Sequence, residues 1–188
     1  LTVSDNKTKK TTLKIFGKKK FISFKFKDKF YDKKLIKTLS EADYVLISIP
    51  PQKKKDLVLK SFGKFLKKSK LKKLIYLSAT SVYGNHNGKW VNESSKLKGN
   101  TKFGLGRKIV EKSWIKFRDQ YNLNINILRV SGIYSKESNV LKKISKKNIY
   151  VKEKKYFSRI RIEDLAQIIK KMFYSQKSLL ILNASDDK

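Results

Sequence analysis

Short apolar runs rich in β-branched and aromatic residues alternate along the chain with longer segments in which apolar residues recur every three or four positions. The runs predict strands at Leu1–Ser4, Phe21–Phe26, Tyr44–Ile49, Leu74–Ser78, Ile125–Val130 and Leu179–Asn183. The periodic segments predict helices over Asp56–Lys68, Phe103–Tyr121 and Ile162–Tyr174. In the first helix Leu57, Phe62, Phe65 and Leu66 fall on one side while Lys60, Lys64 and Lys67 face water. The longest offers Ile109, Val110, Trp114, Ile115 and Phe117 for burial, and the last opens on Glu163 and Asp164, acids that suit a helix N-terminus.

The runs at 44–49 and 74–77 are almost continuously apolar, which is how strands buried on both faces read. Strands alternating with helices of crossover length predict an α/β domain in which the strands at Phe21, Tyr44, Leu74 and Ile125 form one parallel sheet. There is no internal repeat. The lysine clusters at Lys18–Lys20 and Lys53–Lys55 read as solvated turns and helix ends.

Composition changes this picture little. A chain of 188 residues, 39% hydrophobic, can bury one sizeable core. The formal charge of +32 points to polyanions in general. Yet five of the 47 basic residues are arginine, at 107, 118, 129, 159 and 161, and the rest are lysines spread along the whole chain. A surface that reads phosphates or bases uses more of the arginine fork. The excess of Lys, Asn, Ile and Phe matches an AT-rich coding bias, so no specific nucleic-acid partner is expected. The absence of cysteine excludes disulfides and thiolate metal ligands, no metal site is assigned, and a cytoplasmic location is expected. No apolar stretch approaches the roughly 20 residues of a membrane helix, so no membrane partner is expected. The sequence starts at Leu1 and its one methionine is Met172, the pattern expected of a fragment or a processed chain.

Five stretches carry a resemblance. Leu77-Ser78-Ala79-Thr80-Ser81-Val82-Tyr83-Gly84 is similar to the strand-end motif of the extended short-chain dehydrogenases/reductases, the NAD-dependent epimerase/dehydratase family. Ala42–Ile47 resembles that family's fourth strand, and Asn92-Glu93 the acidic pair after its Val-Tyr-Gly loop. Leu128–Tyr134 resembles its Leu-Arg-x-x-x-Ile-Tyr strand, and Ser158–Ala166 its late His-Val-Asp-Asp-Leu-Ala motif. The run from Tyr83 to Glu93 resembles an atypical branch.

The resemblance implies a doubly wound, Rossmann-like parallel sheet: a single incomplete NAD(P)-binding domain over 1–188, with small substrate-side segments near 84–100 and 134–160. It implies NAD or NADP as cofactor of the full-length protein, contacted by Asp5, Ser48, Ile49, Pro50, Ser78 and Arg107. His86, Glu93, Arg129, Tyr134 and Arg159 are the implied substrate contacts. The partners are then a dinucleotide and a small molecule, with a homodimer left open.

Two departures stand out. A dinucleotide fold needs a glycine-rich turn after its first strand, where backbone N–H groups meet the pyrophosphate at a helix N-terminus. Gly104-Leu105-Gly106 lies inside the long helix and follows no strand, so it is not that turn. If Leu1–Asp5 is the family's second strand, the first strand and its glycine-rich loop lie upstream. Asp5 then falls where a ribose 2′-OH is read, and Lys7 where a 2′-phosphate would be.

The second departure concerns chemistry. The family places Tyr-x-x-x-Lys on the long helix so that the ammonium lowers the phenol's pKa for general acid/base work. That register here reads Phe103-Gly104-Leu105-Gly106-Arg107, with Glu111 on the following acidic position. Ala79 replaces the polarising hydroxyl, which leaves Thr80, Ser81, Tyr83 and Arg107 as the candidate catalytic groups. Three functions fit: an atypical NAD(P)-dependent epimerase/dehydratase-like protein acting on a nucleotide-sugar or similar substrate, a non-catalytic dinucleotide-binding sensor or scaffold, or a nucleic-acid binder.

Overall fold

A computed structural model describes residues 2–5, 11–27, 30–52, 54–138, 156–177 and 180–186. Its strands are β1 (Thr2–Asp5), β2 (Thr12–Phe16), β3 (Lys19–Lys27), β4 (Phe30–Tyr31), β5 (Tyr44–Ile47), β6 (Lys73–Ala79), β7 (Ile125–Val130), β8 (Gly132–Tyr134), β9 (Arg159–Arg161) and β10 (Ile181–Ala184). The helices are α1 (Lys33–Ser40), α2 (Leu57–Leu66), α3 (Lys102–Tyr121) and α4 (Ile162–Tyr174), with one 3₁₀ turn at Thr80–Val82. The expectations for Leu1, Lys7, Lys53, Leu179 and most of the 134–160 segment fall outside the described residues.

The central sheet is parallel throughout, in the order β10-β7-β6-β5. Alternate residues of β6 point to opposite faces, as the strand period of two requires. Leu74 and Tyr76 enter one core with Ile125, Ile127, Val58, Phe62 and Trp114 beneath α2 and α3. Ile75 enters a second core with Leu128, Val130, Leu165 and Met172 beneath α4. A sheet with a separate core on each face is what doubly wound means physically. Each of these fully buried aliphatic side chains contributes about 1.5–3 kcal/mol.

The helices end where their caps dictate. Asp56 accepts from the Leu59 N–H at 2.7 Å to open α2, Thr101 accepts from the Gly104 N–H at 3.1 Å to open α3, and Asn122 closes α3 in the left-handed conformation at φ 48°. Lys73 is buried at the start of β6, where its Nζ donates to the Met172 and Ser175 carbonyls at 2.8 and 2.7 Å. That ammonium satisfies backbone acceptors at the C-terminal end of α4 and suits its dipole.

Two expectations are corrected. The Phe21–Phe26 strand does not join the central ladder; as part of β3 it pairs parallel with β1 and antiparallel with β2 in a separate sheet. The chain between β1 and β3 forms a hairpin turning at Gly17 (φ 57°), so β3 gains its second neighbour locally. Phe24 and Phe26 still reach the α2 core, with the Phe26 and Phe62 rings 5.2 Å apart. The Tyr44–Ile49 run is also not buried on both faces. Val45 and Ile47 face the α2 core, but Leu46 is 42% exposed because β5 is the edge of its sheet, where the α4 rings of Phe173 and Tyr174 pack on Tyr44.

Candidate functional site

The parallel strands β5, β6, β7 and β10 end together, and their C-terminal loops gather the candidate residues, as open α/β sheets require of a ligand site. β6 runs through Ala79 into the 3₁₀ turn at Thr80–Val82 and on to Tyr83. α3 docks tightly against this turn. A Cβ on Gly104 would lie 2.5 Å from the Ser81 carbonyl oxygen, and one on Gly99 at the same distance. The glycine at 104 therefore serves close backbone approach, which positions the first turns of α3 over the end of β6.

A buried polar network lies beneath the turn. Arg129 on β7 and Glu111 on α3 are each 2% exposed and form an ion pair at 2.8 Å, with the Arg129 Nε also donating to Glu111. Arg129 Nη1 donates to the Tyr83 hydroxyl at 2.9 Å and to the Glu93 carbonyl at 3.3 Å. Tyr83 donates in turn to Asn183 Oδ1 at 2.7 Å, and the Glu93 carboxylate accepts from the Asn183 backbone N–H at 2.6 Å. Burial works against the Arg129 charge, but the hydrogen bonds it donates to Glu111 and Tyr83 outweigh it and hold the guanidinium above its ordinary pKa. Tyr83, Glu93 and Arg129 thus meet in one lattice that ties β7, β10, α3 and the 84–100 loop. Tyr83 is 2% exposed with its oxygen both donating and accepting, a geometry suited to positioning the turn above it.

Arg107 lies one turn into α3 and donates to the Leu77 carbonyl at 3.2 Å, so its guanidinium spans the end of β6. Beneath it is the buried Tyr76 phenol, pushed far above its usual range by burial and then by the Asp56 charge, with Arg107 pulling the other way. The Ser78 hydroxyl is buried without a hydrogen-bond partner among the described residues. Thr80 is half-buried and Ser81 exposed. Phe103, in the first turn of α3, is 78% exposed and brings no polar group.

The other candidates lie around this centre. Ser48, Ile49 and Pro50 form the loop after β5, and Asp5 ends β1 in register with Lys25 of β3. His86 sits with Nε2 3.1 Å from the Lys96 carbonyl and its ring 6.4 Å from that of Tyr83. Tyr134 on β8 donates to Asp186 at 3.0 Å, and that bond, then burial, raises its pKa. Arg159 lies beside Gly132 where β9 pairs with β8. Asn183 and Asp186 are not among the sequence candidates, because their partners Tyr83 and Tyr134 lie 100 and 52 residues away and no local spacing marks them.

The model of the NAD dependent epimerase/dehydratase family matches residues 61–172. The chain belongs to this family. The match runs from within α2 through β6, α3 and β7 to α4 and so contains Tyr83, Glu93, Glu111 and Arg129 of the polar network, while Asn183 lies beyond it. Among solved structures, a conserved protein of unknown function from Silicibacter pomeroyi is 30% identical, with TM-score 0.69 over 78% of this chain and 52% of that one. UDP-glucuronic acid 4-epimerase from Bacillus cereus, solved with NAD, is 19% identical at TM-score 0.70 over 89% of this chain and 61% of that one. UDP-N-acetylglucosamine 4-epimerase from Methanobrevibacter ruminantium, solved with UDP-N-acetylmuramic acid, is 20% identical at TM-score 0.72 over 89% and 62%. At these identities the two epimerases establish the Rossmann-like fold, and this chain spans between half and two thirds of the length of all three. A comparison with curated proteins finds no match. Among the described residues no helix is long and apolar enough to cross a membrane.

Proposed function

We propose that this family member belongs to an NAD(P)-dependent protein acting on a nucleotide-sugar or a similar polyol-bearing substrate, with groups other than the usual tyrosine at the reacting end. The observation that carries this reading is the junction of β6 and α3. Arg107 is anchored on the Leu77 carbonyl at the strand end, with Thr80 and Ser81 in the adjoining turn and a phenylalanine, Phe103, in the tyrosine's register. The residues there suit the nicotinamide-ribose half of a dinucleotide. Arg107 would hold a ribose hydroxyl, and Ser48 to Pro50 would flank it. When bound, the dinucleotide supplies a hydride acceptor and donor. The chain's own part is to orient the substrate, with Thr80 and Ser81 donating hydrogen bonds to its oxygen and Tyr83 fixing their turn from below.

The pyrophosphate half finds less. The N-termini of α1, α2 and α3 are capped from within by Asp32, Asp56 and Thr101. α4 carries Glu163 and Asp164 in its first turn, which repel an anion. Calorimetric titration of the 188-residue chain with NAD and NADP should therefore show weak binding, and tight binding would overturn this placement of the cofactor.

Phe103 also favours a second reading, a dinucleotide-binding sensor or scaffold without chemistry, because an exposed phenyl ring cannot carry a proton. The two readings separate on NAD(P)H absorbance with a panel of nucleotide-sugars, measured on the full-length protein. Turnover that falls by about 10²-fold or more in Thr80→Val with Ser81→Ala supports the enzyme. Absence of turnover in the parent and in Phe103→Tyr with Arg107→Lys supports the sensor.

A further inference from the structure

The hairpin of β2 and β3 carries apolar side chains past the helices that cover the rest of its face. Along β3, Ile22, Phe24 and Phe26 alternate onto one side. Phe24 and Phe26 are 2% and 3% exposed in the α2 core, whereas Ile22 is 40% exposed. Across the strand pair Leu13 stands opposite Ile22 and Ile15 opposite Lys20, so Leu13, Ile15 and Ile22 share the face of Phe24. Leu13 is 64% and Ile15 67% exposed, more than any other leucine, isoleucine or valine among the described residues. The strands turn through Gly17 and Lys18, and Lys18, Lys19 and Lys20 all lie exposed at that end. Lys14 and Lys25 are exposed on the strands themselves. Residues 12–27 hold six lysines and no acidic residue.

Lysines alone decide nothing in a chain that carries them throughout. What sets the hairpin apart is an exposed aliphatic face joined to a cationic end with no carboxylate between them. A nucleic acid or a polyglutamate chain would satisfy the lysines and offer the aliphatic side chains no apolar phase. An anionic bilayer surface meets both demands, because its headgroup phosphates attract the lysines and its acyl boundary accepts Leu13 and Ile15. Lysine stems can lie along that boundary with their ammonium groups among the headgroups. Such docking needs no membrane-length helix, so the lack of one among the described residues bears on spanning alone. We infer that the β2–β3 hairpin docks this protein on anionic lipid surfaces, with Leu13, Ile15 and Ile22 entering the headgroup boundary and Lys18 to Lys20 meeting lipid phosphates. The surface belongs to the β1-β3-β2 sheet and makes no use of the β6–α3 junction.

The test must separate this surface from the general attraction of a protein with a formal charge of +32. Co-sedimentation is measured with vesicles of phosphatidylcholine alone and with about one third phosphatidylglycerol, at about 150 mM salt, where dispersed charges are screened. The chain is expected to bind the anionic vesicles about tenfold or more tightly than the neutral ones. Leu13→Ser with Ile15→Ser, which leaves the charge untouched, should weaken that binding by about tenfold or more, and Leu13→Phe with Ile15→Phe should retain it. The triple variant Lys18→Gln, Lys19→Gln, Lys20→Gln should also lose about tenfold or more. Lys112→Gln, Lys116→Gln and Lys170→Gln together remove the same charge from α3 and α4 and should cost less than about threefold. All these side chains are exposed, and unchanged thermal midpoints show that the variants are folded. Polyglutamate and a mixed-sequence DNA duplex supply negative charge without an acyl layer, so their binding should be indifferent to the serine pair. Equal vesicle losses in the two lysine triples, or a serine pair that binds vesicles like the parent, overturn the proposal. Polyglutamate or DNA binding that falls in step with vesicle binding in the serine pair assigns the hairpin to a macromolecular polyanion instead and also overturns it. Vesicle binding by the 188-residue chain that disappears in the full-length protein does the same, because the face is then covered by the rest of the polypeptide.

Discussion

Replacing Glu111 with Gln keeps the shape of the α3 side chain but removes the carboxylate that pairs with Arg129. Both residues are 2% exposed, so water cannot take over the lost interaction. Gln can accept one of the guanidinium's bonds, now made to Glu111 at 2.8, 3.2 and 3.3 Å, and its amide N–H₂ would oppose Arg129 at the other position. Breaking a buried pair from one side leaves an uncompensated charge, which costs about 3–5 kcal/mol. For a chain of this length each kcal/mol moves the midpoint by about 2–4 °C, so thermal unfolding followed by circular dichroism should fall by on the order of 10 °C. The same logic predicts that Glu111→Met with Arg129→Met, which removes both charges, destabilises less than Glu111→Gln alone. A loss under about 1 kcal/mol in the single variant, or a double variant worse than the single, would refute the claim that a desolvated charge pair holds β7 to α3.

Lys73→Met should destabilise by about 1–3 kcal/mol in urea titration, because the Met172 and Ser175 carbonyls lose their buried donor; an unchanged midpoint would show that water replaces the ammonium. Burial raises the Asp56 pKa above its ordinary 3.8 despite bonds from Leu59 and Trp114. The folded state therefore holds this proton more tightly than the unfolded chain, and the associated stability is present below about pH 4 and lost as pH rises through the folded value. Asp56→Asn should remove that slope from a pH series of urea midpoints, and a parallel series would contradict it. Binding to a mixed-sequence DNA duplex should be non-specific and fall steeply between about 50 and 200 mM salt; sequence preference that survives at the higher salt would restore nucleic acid as a partner.

The elements most legible in the sequence are those whose signal is local and long. The α4 bounds follow from Ile162 opening on two acids and a periodic apolar face through Met172, and β7 from six residues that are all buried. The α1 helix and the β2 strand were missed for opposite reasons. At eight residues α1 is short, and Leu35 is its one buried side chain. In β2, Leu13 and Ile15 are apolar yet 64% and 67% exposed, so lysine-rich neighbours and a hairpin turn disguise a strand that pairs only at the sheet's edge. The Phe21–Phe26 run is a strand as its pattern predicts but lies in a different ladder, since periodicity reports which face is buried and not which neighbour supplies the hydrogen bonds.

The candidate site shows the same division at finer grain. The resemblance implies Tyr83 as a catalytic group and Glu93 and Arg129 as substrate contacts, but motif spacing carries no information on whether such side chains face a ligand or one another. The geometry answers through Asn183, which lies 100 residues from Tyr83 and whose backbone and side chain engage Glu93 and Tyr83 respectively. With those oxygens and the Arg129 guanidinium committed to the lattice, the groups that we propose meet a small molecule are the ones less engaged by the protein. These are the Thr80 and Ser81 hydroxyls, the outer edge of Arg107, and Arg159 beside Gly132. Candidate residues sort into supports and contacts by counting which donors and acceptors the fold has already used, and that count requires tertiary structure because the partners are recruited across the whole chain.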